Sequence, residues 1–242
     1  MKSYRNSFWG LVLATFVLQA KAQVSIGLDA GITRNSPDIA LSNRALTAIR
    51  PGYGYALGLN VVKSISHCLF FAFLPSLQQK NFSIIRTGEF KGIYMRYEST
   101  YFQLPLLLQY CLKSLAGRVF YSIEMGGYYG YWLAGRDKGK IPDIFGVSNR
   151  VNSVSQTEEE FQLTYYNEPH YFDSRVDQRV EWGWVVGGGI HYSLNKQHEL
   201  FLVTRFYQSL TSQQKSSPDF GSAQYNRVLS LTLGYLIVLN GK

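Results

Sequence analysis

Apolar and polar residues alternate along several segments of this chain, and this alternation restricts the fold more than any other feature. In residues 52–61 the odd positions are apolar or aromatic, whereas the even positions are Gly, Ala or Asn. The same period of two runs through 24–33 and 101–112. Successive side chains of a β-strand point to opposite faces, so the pattern predicts strands with one apolar face and one small or polar face.

Five further segments complete the set of expected strands, although their alternation is less regular. They are 67–79, 119–133, 182–193, 200–210 and 225–239. We orient 200–210 so that Leu200, Leu202 and Phe206 point outward and Arg205 points inward. Residues 67–79 are apolar on both faces, which leaves the register of that strand open.

The first 22 residues are typical of a secretory signal peptide. They contain a basic start at Lys2 and Arg5, an apolar run over 8–17 and the small-x-small pattern Ala20-Lys21-Ala22. The apolar run is shorter than the ~20 residues of a membrane-spanning helix, which favours a cleaved leader over a retained anchor. We therefore expect a signal peptide at 1–22 and one mature domain at 23–242.

The mature part contains no run of 18 or more apolar residues, which argues against membrane-spanning helices. Short connections alternate with long polar ones, as in barrels of the outer membrane. The short ones lie at 62–66, 113–118 and 194–198, and the long ones at 34–50, 80–97, 134–180 and 212–223. The expected fold is all-β: a single antiparallel transmembrane β-barrel of about eight strands in the outer membrane, with short periplasmic turns and long extracellular loops.

The charge distribution argues against a nucleic-acid partner. The whole chain carries +8, and removal of the leader with Lys2, Arg5 and Lys21 leaves +5 on 220 residues. These cations are scattered among expected loops and strand ends instead of forming one patch. We expect outer-membrane lipids and the barrel assembly machinery as partners.

Five motifs lie in order across the mature chain: Tyr101-Phe102-Gln103-Leu104-Pro105-Leu106-Leu107-Leu108-Gln109-Tyr110, Gly126-Gly127-Tyr128-Tyr129-Gly130-Tyr131, Gly187-Gly188-Gly189-Ile190, Arg205-Phe206-Tyr207 with Leu210, and Asn226-Arg227 ahead of Leu233-Gly234-Tyr235. In this order and spacing they resemble the PorT-like outer-membrane β-barrel family of Bacteroidota-type bacteria. The resemblance implies a barrel without catalytic activity, and some members of that family are linked to a protein-export system. The last strand departs from many such barrels because it runs into Leu239-Asn240-Gly241-Lys242 without a terminal aromatic.

Ionisable residues on the inward face predict a charge network that plugs the barrel. They are Asp29, Glu124, Glu181, His191 and Arg205. Buried charges are tolerable when they are paired, so a structural role is favoured over catalysis. An enzymatic alternative uses His191-Tyr192-Ser193, a spacing found in some lipid A deacylases of the outer membrane. The sequence shows no metal-ligand cluster, phosphate-binding loop or cofactor motif, so no catalytic, metal or cofactor-binding residue is assigned.

The segment 134–180 is too long for a simple connector and is our candidate partner-binding loop. Its aromatic residues are Tyr165, Tyr166, Tyr171 and Phe172. Tyrosine-rich surfaces supply contact area at low entropic cost. At the opposite, periplasmic rim we expect Cys68 and Cys111, the two cysteines of the chain, either bridged or as free thiols.

Three functions stay open on the sequence. The first is a non-enzymatic structural, binding or assembly component associated with protein export and with export-system proteins. The second is a pore for small solutes, and the third is a lipid A deacylase. Conductance separates the first two functions, and hydrolysis of lipid A tests the third.

Overall fold

The computed structural model describes residues 23–39, 45–113, 117–142, 163–215 and 223–239. The expected signal peptide lies outside these residues. The strands are β1 (Val24–Asn35), β2 (Asp38–Ile39), β3 (Thr47–Ser64), β4 (Leu69–Phe73), β5 (Ser76–Arg86), β6 (Tyr94–Lys113), β7 (Val119–Pro142), β8 (Leu163–Pro169), β9 (Val180–Ser193), β10 (His198–Ser209), β11 (Gln224–Tyr225) and β12 (Arg227–Leu239). A short 3-10 helix spans Gly88–Phe90. In the described part of the chain, no helix has the length and hydropathy to cross a membrane.

The strands form a closed antiparallel barrel. The spanning strands pair in chain order, with β1 next to β3, β7 next to β9 and β10 next to β12. The barrel closes where β1 pairs with β12, from Val24 opposite Leu239 to Asn35 opposite Val228. The short strands β2 and β11 form a separate pair. β4 and β5 act as one strand, because both lie between β3 and β6 and only Leu74 and Pro75 separate them. Proline cannot donate a ladder hydrogen bond, which accounts for the interruption. The prediction of about eight spanning strands is confirmed.

The predicted inside and outside are also confirmed. On β1 the outward Leu28 is 67% exposed, whereas the inward Thr33 and Asn35 are 1% and 0% exposed. The register of residues 67–79, which the sequence left open, is now defined. Ala72, Leu74 and Gln78 lie inside, and Phe71 and Leu77 point outward.

Two rings of exposed aromatic side chains delimit the apolar outer surface. The strands β3, β6 and β9 all end at the same end of the barrel, which we call the turn rim. We call the opposite end the loop rim. The ring near the turn rim contains Phe71, Tyr110, Tyr121, Tyr192 and Tyr235, and the ring towards the loop rim contains Tyr53, Tyr55, Phe102, Trp182 and Trp184. On β7, Tyr121 and Tyr131 are separated by about 33 Å of strand, and a tilt of about 40° reduces this to about 25 Å. This height matches the apolar band of an outer-membrane barrel.

The strands on one side of the barrel continue well beyond this band. β6 and β7 contain 20 and 24 residues, whereas β1 and β12 contain 12 and 13. The predicted long polar connections at 80–97 and 134–180 are therefore wrong in extent, because β5, β6, β7 and β8 occupy parts of them. A strand outside the lipid has no need of an apolar face, so these extensions lack the alternation of apolar and polar residues by which the spanning strands were predicted.

A β-bulge marks the start of this extension. Thr100 pairs with Ala134 and Tyr101 pairs with Trp132, so Leu133 is an extra residue on β7. The bulge reverses which positions of β7 face outward. We call residues 79–86, 94–100, 134–142 and 163–169 the raised wall.

Cys68 and Cys111 are both free thiols. The backbone N–H of Cys111 donates to the carbonyl of Cys68 at 2.8 Å, so the two residues are neighbours at the turn rim. Of the two alternatives left open by the sequence, the structure contains the unbridged one.

Candidate functional site

The barrel interior is filled by three layers of polar side chains, of which the middle layer is centred on Arg205. The Nε atom of Arg205 donates to Oε1 of Glu124 at 2.5 Å, and Nη1 donates to Oδ2 of Asp29 at 3.3 Å. Nη1 also donates to Oγ1 of Thr232 at 3.2 Å. The side chains of Arg205 and Glu124 are only 6% and 2% exposed. Three of the five predicted interior residues therefore form one contact group.

The second layer lies towards the loop rim and is centred on Glu181. This carboxylate accepts hydrogen bonds from the ammonium of Lys80, from the hydroxyl of Tyr128 at 2.6 Å and from Nδ2 of Asn226 at 2.8 Å. The Lys80 ammonium also lies 4.3 Å from the centre of the Tyr101 ring. Lys80 was missed by sequence reasoning because it fell in a segment expected to be a loop.

The third layer lies near the turn rim and is centred on His191. Its Nε2 atom is 2.8 Å from Oγ of Ser122, and its Nδ1 atom is 2.5 Å from Oε1 of Glu199. The rings of Phe120 and Phe201 stack on the imidazole at 4.6 and 5.8 Å. The hydroxyl paired with His191 thus belongs to Ser122 and not to Ser193, the residue that the deacylase alternative used. Ser193 instead lines an open cavity of about 610 Å³ at the turn rim.

These layers leave little free space in the middle of the barrel. Two cavities that border Arg205 have volumes of about 10 Å³ each. A space of that size holds about one water molecule. Paired charges buried this deeply require their partners, because an unpaired ion in the interior costs several kcal/mol.

A second recess opens at the loop rim, between the inner face of the raised wall and the segment 170–179. Its volume is about 190 Å³, and its lining includes Phe82, Tyr97, Trp132, His170, Asp177 and Gln213. Several of the aromatic rings are stacked with one another, such as Phe82 with Tyr97 at 4.9 Å.

His170 fastens the segment 170–179 to the raised wall. Its Nδ1 atom lies 3.0 Å from Oδ2 of Asp137 on β7, and its Nε2 atom lies 3.3 Å from Oδ2 of Asp177. Its ring stacks on Trp132 at 4.8 Å. The hydrogen bond to Asp137 raises the pKa of His170 above its ordinary value, against the opposing effect of burial.

The predicted partner-binding aromatics divide into two groups. Tyr165 on β8 and Tyr171 after it are 73% and 78% exposed. Phe172 instead packs against the Trp132 ring at 4.9 Å and beneath the Arg179 guanidinium at 4.1 Å. Tyr166 is partly covered. Two of the four side chains are therefore freely presented to a partner.

A closed antiparallel barrel with an apolar outer band, aromatic rings and a polar interior defines a transmembrane β-barrel protein. The family model for the outer membrane protein beta-barrel domain matches residues 19–213. The chain belongs to this family of outer-membrane barrels, and its location is the outer membrane. No curated protein matches the chain.

Several solved outer-membrane barrels are similar to this chain in structure. OprG from Pseudomonas aeruginosa has 13% identity and a TM-score of 0.49, with 90% of this chain and 96% of OprG covered. Neisserial surface protein A has 11% identity and a TM-score of 0.42, with 89% and 97% covered. Ail, the attachment invasion locus protein of Yersinia pestis, has 11% identity and a TM-score of 0.41, with 91% and 100% covered.

Proposed function

We propose that this protein is a plugged, non-enzymatic barrel that anchors a binding surface at the loop rim and serves as a binding or assembly component of the outer membrane. The observation that carries this proposal is the contact of Arg205 with Glu124 and Asp29 across the interior. A water-filled pore needs free cross-section, whereas this layer leaves cavities the size of a single water molecule.

The non-enzymatic part of the proposal rests on the burial of the side chains that most resemble a catalytic triad. Ser122, His191 and Glu199 have the hydrogen-bond order of a nucleophile, a base and a carboxylate. However, Ser122 and His191 are each only 3% exposed. A nucleophile must contact its substrate, and this one is enclosed by the barrel, so we assign the group a structural role.

The finer assignment is to PorT-like barrels, with an association to protein export. Two motifs that carry this resemblance meet in the middle layer. A Cβ atom at Gly187 would lie 2.7 Å from Oε1 of Glu124 and 3.1 Å from Cγ of Arg205. The glycine motif thus makes room for the arginine motif. The proposed partners are export-system proteins at the loop rim, with the barrel assembly machinery acting during insertion.

Single-channel conductance in planar bilayers tests the plugged barrel. We expect the purified protein to shift in mobility on heating and to give no steady channels. A triple variant, Asp29→Ala, Glu124→Ala and Arg205→Ala, removes the middle layer and should raise the conductance if it remains folded. The matched control is an outward triple, Leu28→Ala, Ile123→Ala and Leu231→Ala. Steady conductance by the unmodified protein would replace this proposal with the pore alternative.

Site-specific crosslinking in cells tests the binding surface. Replacement of Tyr165 and Tyr171 by serine should abolish crosslinks formed from the loop rim, because these side chains provide the exposed contact area. Phe90→Ser is a suitable control, since it removes a 41% exposed aromatic from a different hairpin tip at the same rim. Unchanged crosslinks in the double variant would show that the partner binds elsewhere.

A further inference from the structure

Cations line the outer face of the raised wall. Beyond the bulge, Arg136, Lys138 and Lys140 occupy alternate positions of β7 and therefore share one face. Arg96 on β6 stands directly opposite Lys138. The side chains of Arg96 and Lys138 are 49% and 39% exposed. We call these four residues the basic strip.

The basic strip is not balanced within the protein. Among the described residues of the wall, Glu98 is the one acid on this face. Its carboxylate accepts a hydrogen bond from Nζ of Lys138 at 2.8 Å and lies 3.1 Å from Nε of Arg96. Like charges placed directly opposite on neighbouring strands are destabilising, and a single shared carboxylate offsets only part of that repulsion. The Lys140 ammonium lies 5.0 Å from the centre of the Tyr165 ring, a contact that leaves its charge unneutralised.

The height of the basic strip relative to the membrane indicates what neutralises it. On β7 the lipid-facing positions include Tyr131 and Leu133, and Arg136 follows Leu133 after about 10 Å of strand. The polar headgroup layer begins where the hydrocarbon ends and is about 5–8 Å deep on each side. With the strand tilt of about 40°, Arg136 lies about 8 Å above Leu133, at the level of the headgroups, and Lys138 and Lys140 follow at about 13 and 18 Å. The strip therefore begins in the headgroup layer of the leaflet that surrounds the loop rim and continues above it.

We propose that the basic strip binds the phosphate groups of lipid A, the phosphorylated glycolipid of the outer leaflet. Arginine offers a planar fork of donors for phosphate oxygens, and lysine adds a mobile point charge. Tyr94 and Tyr165, which flank Lys140 on the neighbouring strands, add apolar surface and hydroxyl groups next to it. This inference depends on the loop rim facing the cell exterior and is independent of whether the lumen conducts.

Binding of the folded, purified barrel to lipid A in detergent tests this proposal. The variant is Arg136→Gln with Lys140→Gln, neither of which is bonded to Glu98 in the structure. The control is Arg118→Gln with Lys196→Gln, two exposed cations at the turn rim. Both variants lose the same net charge, and a heat-induced gel shift confirms that each remains folded.

We expect the wall variant to bind bisphosphorylated lipid A about ten to thirty times more weakly than the unmodified protein, and the control to change by less than about twofold. Lipid A from which both phosphates have been removed should bind the unmodified protein and the wall variant equally. The proposal would be overturned by equal losses in the two variants. Undiminished binding of phosphate-free lipid A, or equal binding to phosphatidylglycerol, would also overturn it.

Discussion

Arg205 on β10 and Glu124 on β7 lie on either side of Gly187, which pairs with both of them in the sheet. The two long side chains meet over the glycine, at 2.5 Å between Nε and Oε1. The strand between them contributes no side chain at this point. The ion pair and the missing side chain are therefore parts of one arrangement.

Neutralisation of Glu124 should destabilise the barrel strongly. In Glu124→Gln the buried guanidinium of Arg205 keeps only Asp29 as an ionic partner. We expect the free energy of unfolding to fall by about 3 kcal/mol, the lower end of the range for a broken buried pair. Urea unfolding in lipid vesicles, followed by tryptophan fluorescence, measures the change. Asp38→Asn, which breaks the exposed ion pair of Asp38 with Arg227, should cost less than about 1 kcal/mol, and a similar loss for both variants would contradict a buried network.

The space above Gly187 predicts a second effect. A methyl group there would approach Oε1 of Glu124 to 2.7 Å and the carbonyl oxygen of Thr204 to 2.8 Å. We expect Gly187→Ala to lower the free energy of unfolding by about 1–3 kcal/mol through overpacking. Gly127→Ala on the lipid face is the control, because its Cβ would meet only the carbonyl oxygen of Gly183, at 3.5 Å. Equal stability of the two variants would show that the interior around Gly187 has free space for a methyl group.

The contact of His170 with Asp137 predicts a pH dependence at the loop rim. Because the pKa in the folded state is raised above the ordinary 6.5, the contact stabilises fully below that value and is lost as the pH rises through the raised pKa. The segment 170–179 should therefore loosen on the alkaline side. The C2 proton of His170 in NMR spectra reports the pKa, and Asp137→Asn should lower it. A His170 titration unchanged by Asp137→Asn would refute the assignment.

The unbridged cysteines predict a specific labelling result. Intact mass measured after alkylation in denaturant, without reductant, should show two adducts. In the folded barrel Cys111 should react much more slowly than Cys68, because it is buried and Cys68 is partly exposed. Cys68→Ser separates the two reactions. If the two adducts appeared only when a reductant was added before alkylation, the result would demonstrate a disulfide.

The spanning part of the fold could be predicted because lipid imposes a rule on each residue. Leu28 must face outward and Thr33 inward, and a period of two records this requirement in the sequence. The inward placement of Arg205 and Glu124 followed from the same rule. Their contact could not be predicted, because it depends on the register between strands 81 residues apart.

The alternation rule could not predict the raised wall or the residues that complete the interior layers. Lys80 and Glu199 complete two of the interior layers, yet the first fell in an expected loop and the second at a strand end. The bulge at Leu133 reverses which side chains of β7 face outward, and no local pattern marks it. His170 likewise meets Asp137 only through a tertiary contact with β7, and meets Asp177 through the fold of its own segment.

The pairing of β1 with β12 has a consequence for how the protein is made. This seam joins the first and last strands of the barrel through twelve residue pairs. Until β12 has arrived, the edges of β1 and β10 that pair with it both present unpaired backbone groups, which cannot be left in hydrocarbon. The polypeptide must therefore be held unfolded, or held by another protein, through most of its delivery. The backbone groups at both edges are paired only when β12 has been delivered and the barrel has closed.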